Sequence, residues 1–532
     1  APDTIAVRNQ LQFLLGEQGL AERDFLQLVP WGTSLLSRLR GDGASITQLR
    51  VIGPNRWILR SRIPEGLQEA YGLAPEVLFL IVYNEVKGED LQTARKELQR
   101  KDLDLDPDLL VIVDDRPRLK ERIGRLPLQW GQWVPWSFGE DGFPALAELF
   151  REHLPLYDVF EQRDPVRGRQ VIGRTAIVSD LRKRVQQGQA VGIFGLRKMG
   201  KTTVVRAVTD WLDPLSAHPN DREDGQSSIL AVWLDSERLV ERTLDSLAMQ
   251  LHKELKKRLS SDNRAPLPEK DLSDLGGLLE AALERTDLPL CVVLDEYDLL
   301  FGGSGGQPAI VGIEKLFRTF RAVAQQTSRL SLVVIGRDSS FFEDPEMNGW
   351  PNPMLNWLVP FWLGPLSADG ADELLGKLGR RVLLDIGPET ASLARAWTGG
   401  HPLLHRQFGS ALLEKSRARK GNLREHVATE PFREEALDLF LARDAVTTIC
   451  REVSHLLTSR YPEAAALLER LCCTSPQEAA RLVEERGGWL RAEARLLRNL
   501  GLLLGDSESL WIPEVFRWYL RTLAPQVRGR RA

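Results

Sequence analysis

Four short apolar runs punctuate the middle of the chain: AVGIF (190–194), ILAVWLD (229–235), PLCVVLDE (289–296) and RLSLVVIG (329–336). They are rich in β-branched residues and too short for helices, so they predict buried strands. Between them, apolar residues recur every three or four positions, the spacing of amphipathic helices. This strand–helix alternation predicts a mostly parallel sheet covered by helices on both faces. The N-terminal part reads as a smaller α/β domain. IAVRNQLQFLLGEQ has helical spacing, RWILRSRI, EVLFLIVYN and LLVIVDD read as strands, and GEDLQTARKELQRK predicts a helix between the last two. FEQRDPVRGRQVIGR, polar and broken by Pro165 and Gly168, reads as a linker. From LGPLSADGADELLGKL onward the pattern is almost wholly helical, until LGLLLGDSESLWIP predicts a two-stranded ribbon with a polar tip.

The expected fold class is therefore α/β, in four parts. An N-terminal α/β domain of effector or adaptor type spans 1–155 and a parallel-sheet core spans 156–362. A helical segment covers 363–440, and a helix–helix–ribbon–helix module covers 441–532.

With 532 residues and 43% hydrophobic content, each part has enough core material to fold without staples. The net charge of −4 excludes a global basic field for nucleic acid but leaves room for local patches. Four cysteines, Cys291, Cys450, Cys472 and Cys473, lack zinc-ligand spacing and read as reduced thiols, with Cys291 buried. No apolar run is long enough to span a bilayer, and APDTIAVRNQ lacks the pattern of a secretory signal. The expectation is a cytoplasmic protein without a membrane partner.

The first strand of the core runs into GLRKMGKTT. Gly195, Gly200, Lys201 and Thr202 satisfy G-x-x-x-x-G-K-[ST], between a predicted strand and a predicted helix as that loop requires. The glycines let the backbone curl and turn its N–H groups inward, where the helix N-terminus adds positive potential for phosphate oxygens. Lys201 is placed for the β- and γ-phosphates, Thr202 for Mg²⁺, and Thr203 for the α-phosphate; Met199 completes the loop. The expected ligands are ATP or ADP with Mg²⁺.

LDEYD supplies the second half. Asp295 sits at the tip of a buried strand, where a carboxylate can hold the Mg²⁺ through its waters, and Glu296 can act as general base on the attacking water. In VVIGRD, Arg337 leaves the next strand. It reads either as a reporter of the γ-phosphate or as a surface arginine. Asp235, ending ILAVWLD, reads as structural.

Taken together, these residues resemble the STAND class of AAA-type signalling ATPases, particularly its bacterial branch, over roughly 165–440. VIGR (Val171 to Arg174) resembles the family's entry motif. That likeness implies that Ile172, Gly173 and Arg174 lie against adenine and ribose, although Thr175 stands where the family usually has an acid. AWTGGHP resembles the glycine-x-proline motif of the helical lid, implying that Pro402 packs on the adenine. His401 beside it reads as a solvated loop residue, with phosphate sensing as the other reading. In LGPLSADGADELL, Ser367 is a candidate N-cap with Asp369 in the first turn. The resemblance implies a switch: closed on its lid with ADP, opened by ATP to expose surfaces for oligomerisation or a protein partner, and reset by slow hydrolysis. A role in bacterial defence or regulation follows from the resemblance alone.

From Arg443 onward the chain has fourteen arginines, no lysine and eleven acids. SPQEAARLVEERGGWLRAEARLLRNLGLLLGDSESLWIP resembles a winged helix-turn-helix, with the wing around Gly505 to Ser509. Arg491, Arg495 and Arg498 lie on the candidate recognition helix and Glu493 interrupts them. Two readings stand: packing against the nucleotide domain, or duplex DNA in the manner of origin-recognition proteins and transposition loaders. In the N-terminal domain, Glu85-Val86-Lys87 has the Glu-x-Lys spacing of restriction-type nucleases, giving a third reading as an ATP-gated nuclease. No well-placed upstream Asp accompanies it. Trp130, Trp133 and Trp136 read as packing at the seam with the next domain, with base stacking as the alternative. FGGSGGQP (301–308) reads as a mobile loop beside the nucleotide site.

Overall fold

The computed structural model describes residues 25–83, 86–98, 104–114, 119, 121, 132–161, 171–213, 228–239, 241, 243–259, 274–302, 309–337, 339–347, 349–418, 429–485, 487–488 and 491–523. Chain contacts divide it into two compact units. One comprises 1–162, 374–387 and 409–435; the other comprises 163–373, 388–408 and 436–532.

The first unit opens with α1 (Gly32–Gly41), β1 (Ser45–Gly53), β2 (Arg56–Arg62) and α2 (Glu65–Tyr71). It continues through β3 (Glu76–Val82), α3 (Gly88–Leu98), β4 (Leu105–Asp114), β5 (Gln132–Ser137) and α4 (Leu146–His153). The five strands form one sheet in the order β1-β2-β3-β4-β5. β1, β2 and β3 pair antiparallel, whereas β3, β4 and β5 run parallel. The crossover through α3 allows β3 and β4 to run parallel. All seven residues of β3 are buried, and alternate side chains feed two cores, Val77, Phe79 and Ile81 on one face and Leu78, Leu80 and Val82 on the other. The strand patterns missed β1 and β5: the first is a half-exposed edge strand, and the second carries Pro135.

β5 also settles the tryptophans among the described residues. Trp136 is fully buried, 5.1 Å from the Phe143 ring, and Trp133 lies edge-on to Tyr157, whose hydroxyl donates to the Trp133 carbonyl at 2.7 Å. Both make these contacts within their own unit, on opposite faces of the sheet, because a strand sends residues three apart to opposite faces. Trp130, Pro165 and Gly168 lie outside the described residues.

The second unit contains α5 (Thr175–Gln186), β6 (Ala190–Phe194), α6 (Lys201–Leu212), β7 (Leu230–Asp235), α7 (Leu244–Leu259), α8 (Leu275–Glu284) and β8 (Leu290–Asp295). There follow α9 (Ile313–Thr327), β9 (Leu330–Ile335), α10 (Ser340–Glu343), a small hairpin of β10 (Glu346–Met347) and β11 (Trp350–Pro351), and β12 (Leu358–Trp362). The sheet order is β12-β6-β9-β8-β7, parallel throughout. Each of the four predicted core strands is present, and β12, which carries Pro360 at the edge, closes the sheet beside β6. All strands therefore point their carboxyl ends to one side, where a parallel sheet collects its functional loops.

Next come α11 (Ala368–Arg381), α12 (Pro388–Thr398), α13 (Pro402–Ala418) and α14 (Glu430–Leu441). Ser367 caps α11 as its sequence suggests, its hydroxyl accepting the Gly370 N–H at 3.2 Å, with Asp369 in the first turn. The chain ends in α15 (Asp444–Arg460), α16 (Pro462–Leu471), α17 (Pro476–Glu485), α18 (Ala492–Asn499), the antiparallel ribbon β13 (Leu504–Gly505) and β14 (Leu510–Trp511), and α19 (Glu514–Trp518). All four cysteines are free; three are buried, Cys291 among them, and Cys473 is exposed. Among the described residues, no helix is long and apolar enough to cross a membrane.

Candidate nucleotide site

β6 delivers the phosphate loop and α6 carries it away. Gly195 has φ 147°, and a Cβ there would stand 2.6 Å from the Leu363 carbonyl oxygen, so the loop's first position admits only glycine. Its N–H donates to the Arg337 carbonyl at 3.2 Å, joining the loop to the end of β9. Lys198 is left-handed at φ 62°, and Met199 is buried beneath the loop. Gly200 caps α6, and Lys201, Thr202 and Thr203 form its first turn.

Lys201 is 7% exposed, and its ammonium donates to the carbonyls of Gly195 (2.8 Å) and Leu196 (2.9 Å). Burial pulls its pKa down, while the nearby carboxylates of Glu296, Asp298 and Asp295 pull it up. A cation held this way by neutral oxygens is poised for an anion.

The carboxyl end of β8 places Asp295 opposite. Its carboxylate accepts the Thr202 hydroxyl at 3.1 Å and the Glu296 N–H at 3.0 Å. Burial lifts its pKa to about 6, reinforced by the charges of Glu296 and Asp235 and opposed by the bond from Thr202. Asp235 is its register partner on β7, where its carboxylate also accepts the Glu237 N–H. Glu296 is left-handed at φ 52°, as the chain turns sharply off the strand. A hydroxyl and a half-buried carboxylate in hydrogen-bond contact suit Mg²⁺; Thr202 and Asp295 would hold it. Asp298, which sequence reading passed over, is 3% exposed and accepts the Arg337 N–H at 2.8 Å, fixing the strand end that carries Arg337.

Arg337 itself is half-buried. With Leu196, Arg197, Ile449, Glu452 and Val453 it lines a narrow crevice where α15 meets the phosphate loop. Arg197 pairs across it with Glu452 at 3.1 Å. Asp338 and most of the glycine-rich stretch, residues 303–308, lie outside the described residues. Arg329, just before β9, donates to the carbonyls of Leu283, Thr286 and Leu288.

The entry motif is tied into the fold through Arg174. Arg174 is 6% exposed and donates to the carbonyls of Gly364 (2.6 Å) and Pro365 (3.2 Å), with its pKa lowered to about 10 by burial. Its guanidinium is thus spent on the turn after β12. Gly173 (φ 67°) lies so near Gly370 that a Cβ would come within 2.8 Å of its Cα. Ile172 and Pro402 are both half-buried, and Pro402 starts α13, where its missing N–H costs nothing.

His401 is the residue whose sequence reading needs correcting. It is 2% exposed rather than solvated, with Nε2 3.1 Å from the Arg197 carbonyl, and burial lowers its pKa to about 4. The backbone explains the burial: Leu366 N–H donates to the Gly400 carbonyl at 2.9 Å, folding the Gly-His-Pro turn inward.

Residues 183–343 match the family model of the AAA domain. No curated protein matches the chain. Among solved structures, a Walker-type ATPase of Pyrococcus abyssi is similar at 18% identity, covering 68% of this chain and 99% of its own, with a TM-score of 0.45. The Aeropyrum pernix ORC2 protein, in ADPNP–ADP complexes, is similar at 13% identity over 70% and 97% of the two chains, with a TM-score of 0.42. The Aeropyrum pernix ORC1 protein in complex with DNA reaches 16% over 71% and 97%, with a TM-score of 0.35. The matched segment holds the phosphate loop on β6, the acid pair at the tip of β8 and the arginine after β9, and it is an AAA-type P-loop ATPase domain.

Proposed function

We propose that the protein is a signal-transducing ATPase of the STAND type, in which ATP replaces ADP to change its oligomeric state or its engagement of a protein partner. The observation that carries this reading is the grip of C-terminal elements on the phosphate loop. Arg197 pairs with Glu452 of α15, and His401 reaches the Arg197 carbonyl. A loop held from outside its own sheet suits a latch whose nucleotide state alters neighbouring helices. Lys201 binds and neutralises phosphate oxygens, Thr202 and Asp295 hold the cation, and Glu296 takes the proton of the attacking water. Mg²⁺, when bound, supplies charge neutralisation on the phosphates. Arg337 reports the γ-phosphate from the end of β9.

Two variants test it together. Lys201→Ala loses ATP and ADP binding by calorimetry, and Glu296→Gln binds ATP but fails to release phosphate. ATP-loaded Glu296→Gln then differs from the ADP-bound wild type in mass by light scattering or in capture of a partner. Unchanged ATP affinity in Lys201→Ala overturns the central reading.

A second reading, duplex DNA binding through 441–532, is favoured by one observation: Arg495 and Arg498 are exposed on α18. Against it stand the exposed acids Asp506 and Glu508 at the ribbon tip. Binding that falls steeply with salt and disappears in Arg491→Ala/Arg495→Ala/Arg498→Ala supports this reading; binding indifferent to both dismisses it.

A further inference from the structure

We infer that His401 is a positioning residue for the phosphate loop: its Nε2–H fixes the Arg197 carbonyl and so sets the loop in shape to receive phosphate. The inference rests on the reading of this loop as a nucleotide site.

Hydrogen-bond accounting assigns the tautomer. The Leu404 N–H points at His401 Nδ1 at 3.4 Å, which makes Nδ1 the acceptor. The proton therefore sits on Nε2, which donates to the Arg197 carbonyl at 3.1 Å. The ring has little freedom to choose otherwise. His401 is 2% exposed, and its backbone N–H donates to the Thr398 carbonyl at 3.1 Å. The Thr398 hydroxyl in turn accepts the Gly400 N–H and donates to the Ala394 carbonyl at 2.7 Å. The turn that carries His401 is thus itself braced on α12.

What the bond does follows from peptide planarity. A trans peptide points its C=O and the next N–H in opposite directions, so pinning the Arg197 carbonyl aims the Lys198 N–H the other way. Lys198 is left-handed, and a left-handed residue in such a loop is one half of an anion-binding backbone nest. Three successive carbonyls are held by side-chain donors: Gly195 and Leu196 by Lys201, and Arg197 by His401. Only Lys201 must let go to reach a phosphate. His401 can keep its bond throughout, which makes it a fixed brace.

The test measures ADP affinity by calorimetry in the full chain. His401→Leu removes the donor and strands a buried carbonyl, so Kd rises about tenfold. His401→Gln places an amide N–H near the position of Nε2 and restores affinity to within about threefold of wild type. His401→Asn is polar but too short to reach, and behaves like His401→Leu; it carries the test should His401→Leu fail to fold. Gln as weak as Leu and Asn overturns the assignment, as does wild-type affinity in Leu and Asn. Wild-type protein that fails to bind ADP sinks the nucleotide-site reading beneath it, an outcome the variants cannot mimic.

Discussion

The two sheets bury their strands alike, and both units pair acids with arginine, in the nucleotide unit Asp213 with Arg258 at 2.8 Å and Asp235 with Arg238 at 3.1 Å, yet they differ at the tip of β8. In the N-terminal unit the acids around the sheet are met by arginine. Arg60 pairs with Glu76 at 2.5 Å, Arg56 with Asp90, Arg50 with Glu97, and Arg381 with Asp106 at 2.7 Å. In the nucleotide unit, Asp295 and Glu296 make no ion pair among the described residues, and the cation nearest in chemistry, Lys201, is bonded to carbonyls instead. A neutralised acid holds structure together. An acid left in a half-desolvated cluster is a site waiting for a cation, and it costs stability until one arrives.

Breaking the pairing in the first unit has the largest expected effect. Asp106 is 1% exposed and accepts N–H groups from Ala74 and Asp108 besides Arg381, whose Nε also reaches Gln132 at 2.5 Å. Burial lowers the Arg381 pKa, but Asp106 and Asp108 outweigh it and leave the value raised. Arg381→Met strands a buried carboxylate and should cost about 3–5 kcal/mol in denaturant unfolding. Asp106→Leu/Arg381→Met should recover most of that. If the single variant loses under about 1 kcal/mol, the pair is not structural and the contrast between the sheets fails.

The second unit should respond in the opposite sense. The folded pKa of Asp295, about 6, lies above the ordinary carboxylate value, so the ionised group opposes folding at neutral pH. Its penalty is relieved as pH falls through 6 and is gone near 4. Asp295→Asn should therefore stabilise the nucleotide-free protein by about 1–3 kcal/mol at pH 7, a gain that vanishes near pH 4, while phosphate release is lost. His401 and His405 run the other way. Burial holds both near 4, so their contribution is present above 6.5 and lost as pH falls. Two histidines outweigh one carboxyl, so wild-type stability should fall on acidification, and only the difference from Asp295→Asn isolates the acid. A variant less stable than wild type at pH 7 contradicts this account.

Much of the nucleotide unit was legible because its chemistry sits at strand ends, where local sequence marks both the strand and the motif. Gly195 to Thr203, Asp295-Glu296 and Arg337 fall where their runs stop. Strand order was not legible, since pairing is non-local: nothing in LVPFW announces that β12 lies beside β6. Nor was the burial of His401, set by a bond between Leu366 and Gly400 rather than by its neighbours in sequence. Arg174 shows the same limit, for its partners are 190 residues away.

The smallest effect should come from Lys87, which distinguishes a motif from its spacing. Its backbone N–H donates to the Asp90 carboxylate at 2.8 Å at the start of α3, and that carboxylate is already paired with Arg56. The side chain is exposed and lies beyond the end of β3, while Glu85 falls outside the described residues. No group of three or more metal-ligating side chains occurs among the described residues. Lys87→Ala keeps the backbone bond and removes only solvated charge, so unfolding free energy should stay within about 0.5 kcal/mol of wild type. Incubation of the wild type with plasmid, Mg²⁺ and ATP should leave the DNA intact on an agarose gel. Cleavage that disappears in Lys87→Ala would move the acids of the first unit from structure to catalysis, and erase the difference between the two sheets.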